Sequence, residues 1–188
     1  VNVAPSGILE DFNSFTPGST IGTYTGWYDG GGGPTVTAGI GVTSSIGLTW
    51  ASNIFTWTAQ PFNWNDPDFI GYIVQMDFES SGSSTFDDDR IGWTTNSAST
   101  SSDYQFGVQL DNTDGGIVTY WRNSAEVRYQ EPIATFGSLT ASTFYRLRLN
   151  ITKLTLTDVK IDVSLTKLDN SGNEVEVVAL GSLANTSS

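Results

Sequence analysis

The chain has 188 residues, a formal net charge of -12 and a sequence pI of about 4.1, and it contains neither cysteine nor histidine. The missing cysteine excludes disulfides and thiolate chemistry, and the missing histidine excludes Ser-His-Asp triads and the commonest zinc ligand. The acidity disfavours nucleic acid, anionic membranes and polyanionic polysaccharides as partners, because all three attract basic surfaces. No apolar run is long enough to span a membrane, so we expect no membrane insertion.

Short segments with a period of two residues dominate the first half of the chain. Strands are predicted at Thr35–Ala38, Ile46–Thr49, Ile54–Trp57 and in the stretch from Asp68 to Glu79. The last stretch has the clearest pattern, because one side carries Tyr72, Val74, Met76 and Phe78 and the other carries Ile73, Gln75, Asp77 and Glu79. Such alternation predicts a half-buried strand with a core face and an exposed polar face.

The second half of the chain continues the same pattern. Strands are predicted at Arg90–Thr94, Tyr104–Asp111, Ile117–Arg122, Glu126–Gln130, Phe144–Ile151, Val159–Leu165 and Glu174–Leu180. In Phe144–Ile151 the leucines are expected to point inward, while Arg146, Arg148 and Asn150 point outward. The polar turn at 169–172 predicts a C-terminal hairpin. No helix longer than a turn or two is expected.

Many short strands separated by turn residues predict an all-β fold, an antiparallel two-sheet β-sandwich or jelly roll. We expect one such domain over residues 1–182. The small polar residues of 183–188 are interpreted as the start of a linker or disordered tail that leads to other domains of the same chain.

Several segments resemble the concanavalin A-like, laminin G-type jelly rolls of bacterial surface proteins. The start, ILEDFNSFTPG at 8–18, resembles their opening motif, and YTGW at 24–27 resembles the motif that follows it. The middle and the end are similar in order, with YQFGVQLDN at 104–112, IVTYWRN at 117–123, FYRLRLNITK at 144–153 and VKIDVSLTKLDNSG at 159–172. The resemblance covers nearly the whole chain and implies the fold more than the function, since that superfamily includes lectins, carbohydrate-binding modules, hydrolases and lyases.

The same resemblance bears on catalysis. Laminarinase-type hydrolases of this fold carry a strand motif Glu-x-Asp-x-(x)-Glu, and the stretch QMDFE at 75–79 is similar in spacing. Gln75 stands where the nucleophile would be, and an amide cannot form the glycosyl-enzyme intermediate. We therefore expect no enzyme, although an inverting pair such as Asp77 with Asp111 stays open. The simpler interpretation of Gln75, Asp77 and Glu79 is a solvated outer sheet face.

Aromatic, amide and guanidinium groups supply the candidate sugar site. Exposed Trp rings stack on the CH faces of sugars, and planar polar groups hydrogen-bond pairs of hydroxyls. Most of the six Trp are expected in the core, with Trp64 and Trp121 as the favoured exceptions. The predicted ligand-binding residues are Trp64, Asn63, Asn65, Gln75, Asp77, Arg90, Gln109 and Trp121.

Calcium is the candidate cofactor, in a structural role. In the jelly rolls that the chain resembles, Ca²⁺ often links the N-terminal strand to the penultimate long strand, which implies Glu10, Asp11 and Asp162 as ligands here. The alternative site is the acidic run Asp87, Asp88 and Asp89, which could equally be a solvated turn.

The sequence thus predicts non-catalytic carbohydrate binding by the concave face of a jelly roll. The expected ligand is a polysaccharide or oligosaccharide, neutral rather than acidic because of the negative charge. The Lys-poor, Ser/Thr/Gly-rich composition is typical of exported bacterial proteins, so we expect a module of a larger protein that is secreted or on the cell surface. The alternatives are a structural or adhesive surface domain without a sugar site and, more weakly, a glycoside hydrolase with an inverting carboxylate pair.

Overall fold

The chain divides into two compact units, Val1–Ala59 and Gln60–Ser188. The structure is a computed structural model, and it describes residues 12–24, 27–29, 33–49, 56–58, 65–82, 89–94, 104–111, 115–122 and 128–185. Across these ranges it is all-β with antiparallel pairing, and its only helices are two short 3₁₀ turns. The all-β, antiparallel prediction is confirmed. The single domain over 1–182 stays a prediction beside this division into units.

The first unit contains two small antiparallel pairs. Its elements are the 3₁₀ turns Ile21–Thr23 and Val42–Ser44 and the strands β1 (Trp27–Asp29), β2 (Thr35–Thr37), β3 (Gly47–Thr49) and β4 (Thr56–Thr58). β1 pairs with β4 and β2 pairs with β3, while Ile21 and Val36 are fully buried. The sequence predicts strands that overlap β2, β3 and β4, and it does not predict β1.

The second unit contains two four-stranded sheets. Its strands are β5 (Gly71–Ser80), β6 (Asp89–Thr94), β7 (Tyr104–Asp111), β8 (Gly116–Arg122), β9 (Arg128–Thr135), β10 (Thr143–Lys153), β11 (Val159–Leu168) and β12 (Glu174–Asn185). One sheet has the order β12-β11-β10-β5 and the other has the order β6-β7-β8-β9. Every neighbouring pair is antiparallel, and the predicted C-terminal hairpin is present as β11–β12.

One hydrophobic cluster of the second unit draws on both four-stranded sheets. Leu147, Leu149 and Ile151 of β10 are buried in it together with Val108 of β7 and Ile117 of β8. The intervening residues of β10 point the other way, as the sequence alternation predicts. The core face of the sheet β12-β11-β10-β5 is therefore fixed, and its opposite face is left for polar side chains.

The turn between β11 and β12 is held by its first residue. The Asp169 carboxylate accepts hydrogen bonds from the backbone N–H of Ser171 and Asn173 and from the Asn173 side chain. The bonds from Asn173 contribute most to lowering the pKa of Asp169, and Gly172 supplies the positive φ of 82° that the turn needs. β12 then continues past Ser182, so 183 and 184, expected in the linker, pair with β11.

Candidate functional site

The candidate site is the face of the sheet β12-β11-β10-β5 that points away from the core, here called the outer face. Because β10 alternates, its outward residues lie in register with outward residues of both neighbouring strands. Arg146 is opposite Asp77 and Thr166, Arg148 is opposite Gln75 and Ser164, and Asn150 is opposite Ile73 and Asp162. The predicted exposure of Gln75, Asp77 and Glu79 is confirmed.

Arg146 joins β5 to β12 across the outer face. Its Nε donates to Asp77 Oδ1 at 2.8 Å and its Nη2 to Asp77 Oδ2 at 2.7 Å, a bidentate pair. Its Nη1 reaches Glu174 Oε1 at 3.2 Å. The hydrogen bonds to Asp77 raise the pKa of Arg146 further above its ordinary value, so the guanidinium stays charged.

Arg148 extends the same arrangement by one step along β10. Its Nε and Nη2 both donate to Gln75 Oε1, at 3.1 and 2.8 Å, and Nη2 also lies 3.4 Å from Glu174 Oε1. Glu174 therefore bridges the two arginines. We call Gln75, Asp77, Arg146, Arg148 and Glu174 the guanidinium network. Its two positive and two negative charges cancel, which makes it neutral in a strongly acidic chain.

A shallow depression of about 450 Å³ lies beside the network on the outer face. Its lining includes Arg148 and Asn150 of β10, Asp162 and Ser164 of β11, and Leu180 and Ser182 of β12. The register sets these residues in two cross-strand rows, Arg148–Ser164–Leu180 and Asn150–Asp162–Ser182. Ser164 lies between the longer side chains of Arg148 and Leu180 in its row, which leaves space at this point of the sheet.

Asp162, one of the predicted calcium ligands, is engaged by a neighbour on its own strand. Lys160 Nζ lies 2.8 Å from Asp162 Oδ1 and donates to Oδ2 at 2.9 Å. Glu10 and Asp11, its expected partners, lie outside the described residues. No group of three or more carboxylates suited to a metal occurs in the described part of the chain. The calcium site stays a prediction.

The Lys160–Asp162 contact predicts a pH effect. Hydrogen bonds from Lys160 and then Ser182 lower the pKa of Asp162. A carboxyl group of lowered folded-state pKa stabilises the fold above its unfolded-state value of about 3.9, and this contribution is lost as the pH falls through the folded-state pKa. The loss of stability between about pH 6 and about pH 3 should therefore be smaller in Lys160→Met than in the wild type.

Urea unfolding at each pH measures this difference. Lys167→Met, on the same strand but five residues beyond Asp162, is the control for the removed charge, and it should keep the wild-type acid sensitivity. Identical pH profiles for Lys160→Met and the wild type would contradict the assignment.

The structure describes the other predicted binding residues only in part. Asn65 is exposed in a turn before β5, whereas Gln109 is buried, with 6% of its surface exposed. Arg90 pairs in register with Gln109, and Trp121 pairs with Phe106 and Tyr129. Since Gln109 is buried, it is not part of the outer-face site. The remaining candidates, Trp64, Asn63, Asp87, Asp88 and the side chain of Asp89, lie outside what the structure describes.

The two residues of the suggested inverting pair lie on strands of different sheets. Asp77 lies on the outer face, whereas Asp111 ends β7 in the other four-stranded sheet. The hydrophobic cluster takes side chains from both sheets on the side opposite Asp77. Both oxygens of the Asp77 carboxylate accept charge-assisted hydrogen bonds from Arg146.

Sequence reasoning did not select Arg146, Arg148 or Glu174 as site residues. The signal was present in part, because Arg146 and Arg148 are two residues apart on a strand whose other face is apolar. What the sequence did not supply was the pairing of β10 with β5, which sets each arginine opposite a complementary group.

Comparison with known proteins gives no match: no protein-family model, no curated protein and no solved structure matches the chain. The resemblance to concanavalin A-like domains stays a prediction. Within the described residues, no helix is long and apolar enough to cross a membrane.

Proposed function

We propose that this chain is a non-catalytic carbohydrate-binding domain and that its binding surface is the outer face. The finer fold that we propose for it is a two-sheet β-sandwich of jelly-roll type. The hydrophobic cluster shared by the two four-stranded sheets supports this arrangement. We further propose, from the composition and the resemblance, that the domain belongs to a larger secreted or cell-surface protein.

The observation that carries the proposal is the guanidinium network. It sets a carboxylate, an amide and two guanidinium groups in a fixed array on an exposed sheet. Planar groups of this kind can each contact two neighbouring sugar hydroxyls, and a site that is already ordered loses little entropy on binding. A rigid, polar and electrically neutral strip suits an uncharged glycan.

Two features of the network favour binding over catalysis. Gln75 has no carboxylate, and its amide oxygen already accepts two hydrogen bonds from Arg148. Both carboxylate oxygens of Asp77 already accept hydrogen bonds from Arg146, an arrangement that suits ordering of the site more than nucleophilic attack on an anomeric carbon.

Binding to a panel of neutral and acidic polysaccharides, with and without Ca²⁺, tests the proposal. We expect a neutral polysaccharide to bind, and Gln75→Ala to weaken that binding about tenfold, since Arg148 loses the group that orients it. Gln130→Ala, an exposed glutamine on β9, is the matched control and should leave affinity unchanged. Isothermal titration calorimetry supplies the affinities.

A structural or adhesive domain is the second candidate. The guanidinium network is compatible with such a domain, because its charged groups form ion pairs with one another in the absence of a ligand. For a structural or adhesive domain we expect no binding to any polysaccharide of the panel. Stabilisation by Ca²⁺ alone would agree with the prediction of a structural calcium ion. Absence of binding to every polysaccharide of the panel would contradict the proposed carbohydrate-binding function.

A further inference from the structure

The depression on the outer face is framed by six side chains on three adjacent strands. One row contains Arg148, Ser164 and Leu180, and the next contains Asn150, Asp162 and Ser182. Neighbouring strands are about 4.8 Å apart, and outward residues of one strand are about 6.8 Å apart, so the frame measures on the order of 7 by 10 Å. This footprint suits one sugar ring with its hydroxyls.

The depression combines hydrogen-bonding groups with one apolar wall. Arg148 bonds the described residues through Nε and Nη2, which leaves Nη1 for a ligand. Asn150 and Ser182 are exposed and can each donate and accept. Leu180 is 68% exposed at the edge of the frame, where it can cover the CH face of a ring.

The charges around the depression are balanced. Arg148 shares Glu174 with Arg146, and Asp162 is paired with Lys160. A carboxylated or sulfated sugar would meet no uncompensated cation here, and it would lie beside the Asp162 carboxylate, the middle residue of its row. The net charge of the chain adds to that repulsion.

We infer that this depression is a subsite for a single uncharged pyranose residue. Arg148 and Asn150 hydrogen-bond its hydroxyls from one side, Ser182 and Asp162 from the other, and Leu180 packs against its CH face. The inference rests on the proposed carbohydrate-binding function. It adds the location of the subsite, the number of sugar rings that it holds and the class of sugar that it binds.

An NMR titration tests it directly. We expect the methyl glycosides of glucose, galactose or mannose at millimolar concentration to shift the backbone amides of Ser164, Leu180 and Ser182. The methyl glycoside of glucuronic acid should bind at least about fivefold more weakly, because of the Asp162 carboxylate. Shifts confined to other parts of the chain, or tighter binding of the glucuronide, would overturn the inference.

Two substitutions in the depression, each with a control elsewhere, test the location of the subsite. Ser164→Phe fills the depression at a strand position that tolerates an aromatic residue, so binding should fall at least about tenfold. Thr135→Phe adds the same ring at an exposed position of β9 and should change nothing. Leu180→Ala should weaken binding about threefold, against no change for Val175→Ala on the same strand.

The outcomes separate the subsite from the function. Polysaccharide binding that survives Ser164→Phe would overturn the subsite and leave the carbohydrate-binding function standing. Absence of binding to both the polysaccharide panel and the methyl glycosides would overturn both.

Discussion

Replacing Gly181 with alanine is expected to lower the free energy of unfolding by about 3 kcal/mol. Gly181 lies on β12 opposite Val163, a core residue, and a Cβ at this position would overlap the carbonyl oxygen of Ile133 on β9. The overlapping atoms belong to backbone, so no side-chain rotation can relieve them. β9 and β12 would have to separate, which disturbs the edge of the hydrophobic cluster near Ile133.

Gly116→Ala is the matched control, because Gly116 is also a glycine within a strand of the second unit. A Cβ there would have Ala134 O as its nearest neighbour at 3.6 Å, an ordinary van der Waals contact. Alanine in place of a strand glycine should therefore be neutral or stabilise by about 0.5 kcal/mol. Urea unfolding measures both variants, and equal stability for the two would contradict the close approach of β9 and β12.

Replacing Arg146 with alanine is expected to cost about 2 kcal/mol of unfolding free energy. Exposed ion pairs contribute at most about 1 kcal/mol, whereas hydrogen bonds to charged groups contribute about 1.5–3 kcal/mol. The side chains of Arg146 and Asp77 are only 19% and 26% exposed and their geometry is bidentate, so the larger range applies. The substitution also removes the two hydrogen bonds that Arg146 donates to Asp77.

A double-mutant cycle isolates this interaction. Arg146→Ala, Asp77→Ala and the double variant should give a coupling energy of at least about 1 kcal/mol. The same cycle on Lys160 and Asp162, whose side chains are 42% and 35% exposed, should give about 0.5 kcal/mol or less. A coupling energy for the Arg146 pair no larger than for the lysine pair would mean that the network does not order the outer face.

The proposed binding surface depends on the same interactions as these stability effects. Arg146 holds Asp77 and Glu174, and Glu174 in turn contacts Arg148 at the margin of the depression. Loss of Arg146 should therefore loosen Arg148 as well. The guanidinium network orders the polar side chains of the proposed site, and the depression provides the space for the sugar ring.

The strand character of the second unit can be predicted from local sequence patterns alone. Alternation over 144–151 and 159–165 predicts which side chains face the core, because the two-residue period is a property of the extended backbone alone. The polar turn at 169–172 predicts the β11–β12 hairpin for the same reason, since Asp169 and Gly172 act within a few residues. The negative charge and the absence of cysteine and histidine likewise limit the chemistry without any structure.

Which polar residues contact one another depends on how distant strands pair in the folded chain. Arg146 and Asp77 are 69 residues apart in the chain, and nothing local specifies that β5 pairs with β10 in the register that joins them. Gln109 is a second case. The alternation of its strand predicts an outward polar position, whereas the fold buries this side chain. Strand period is set by the backbone, but register and burial are set by which strands pack together, and that depends on contacts between distant segments.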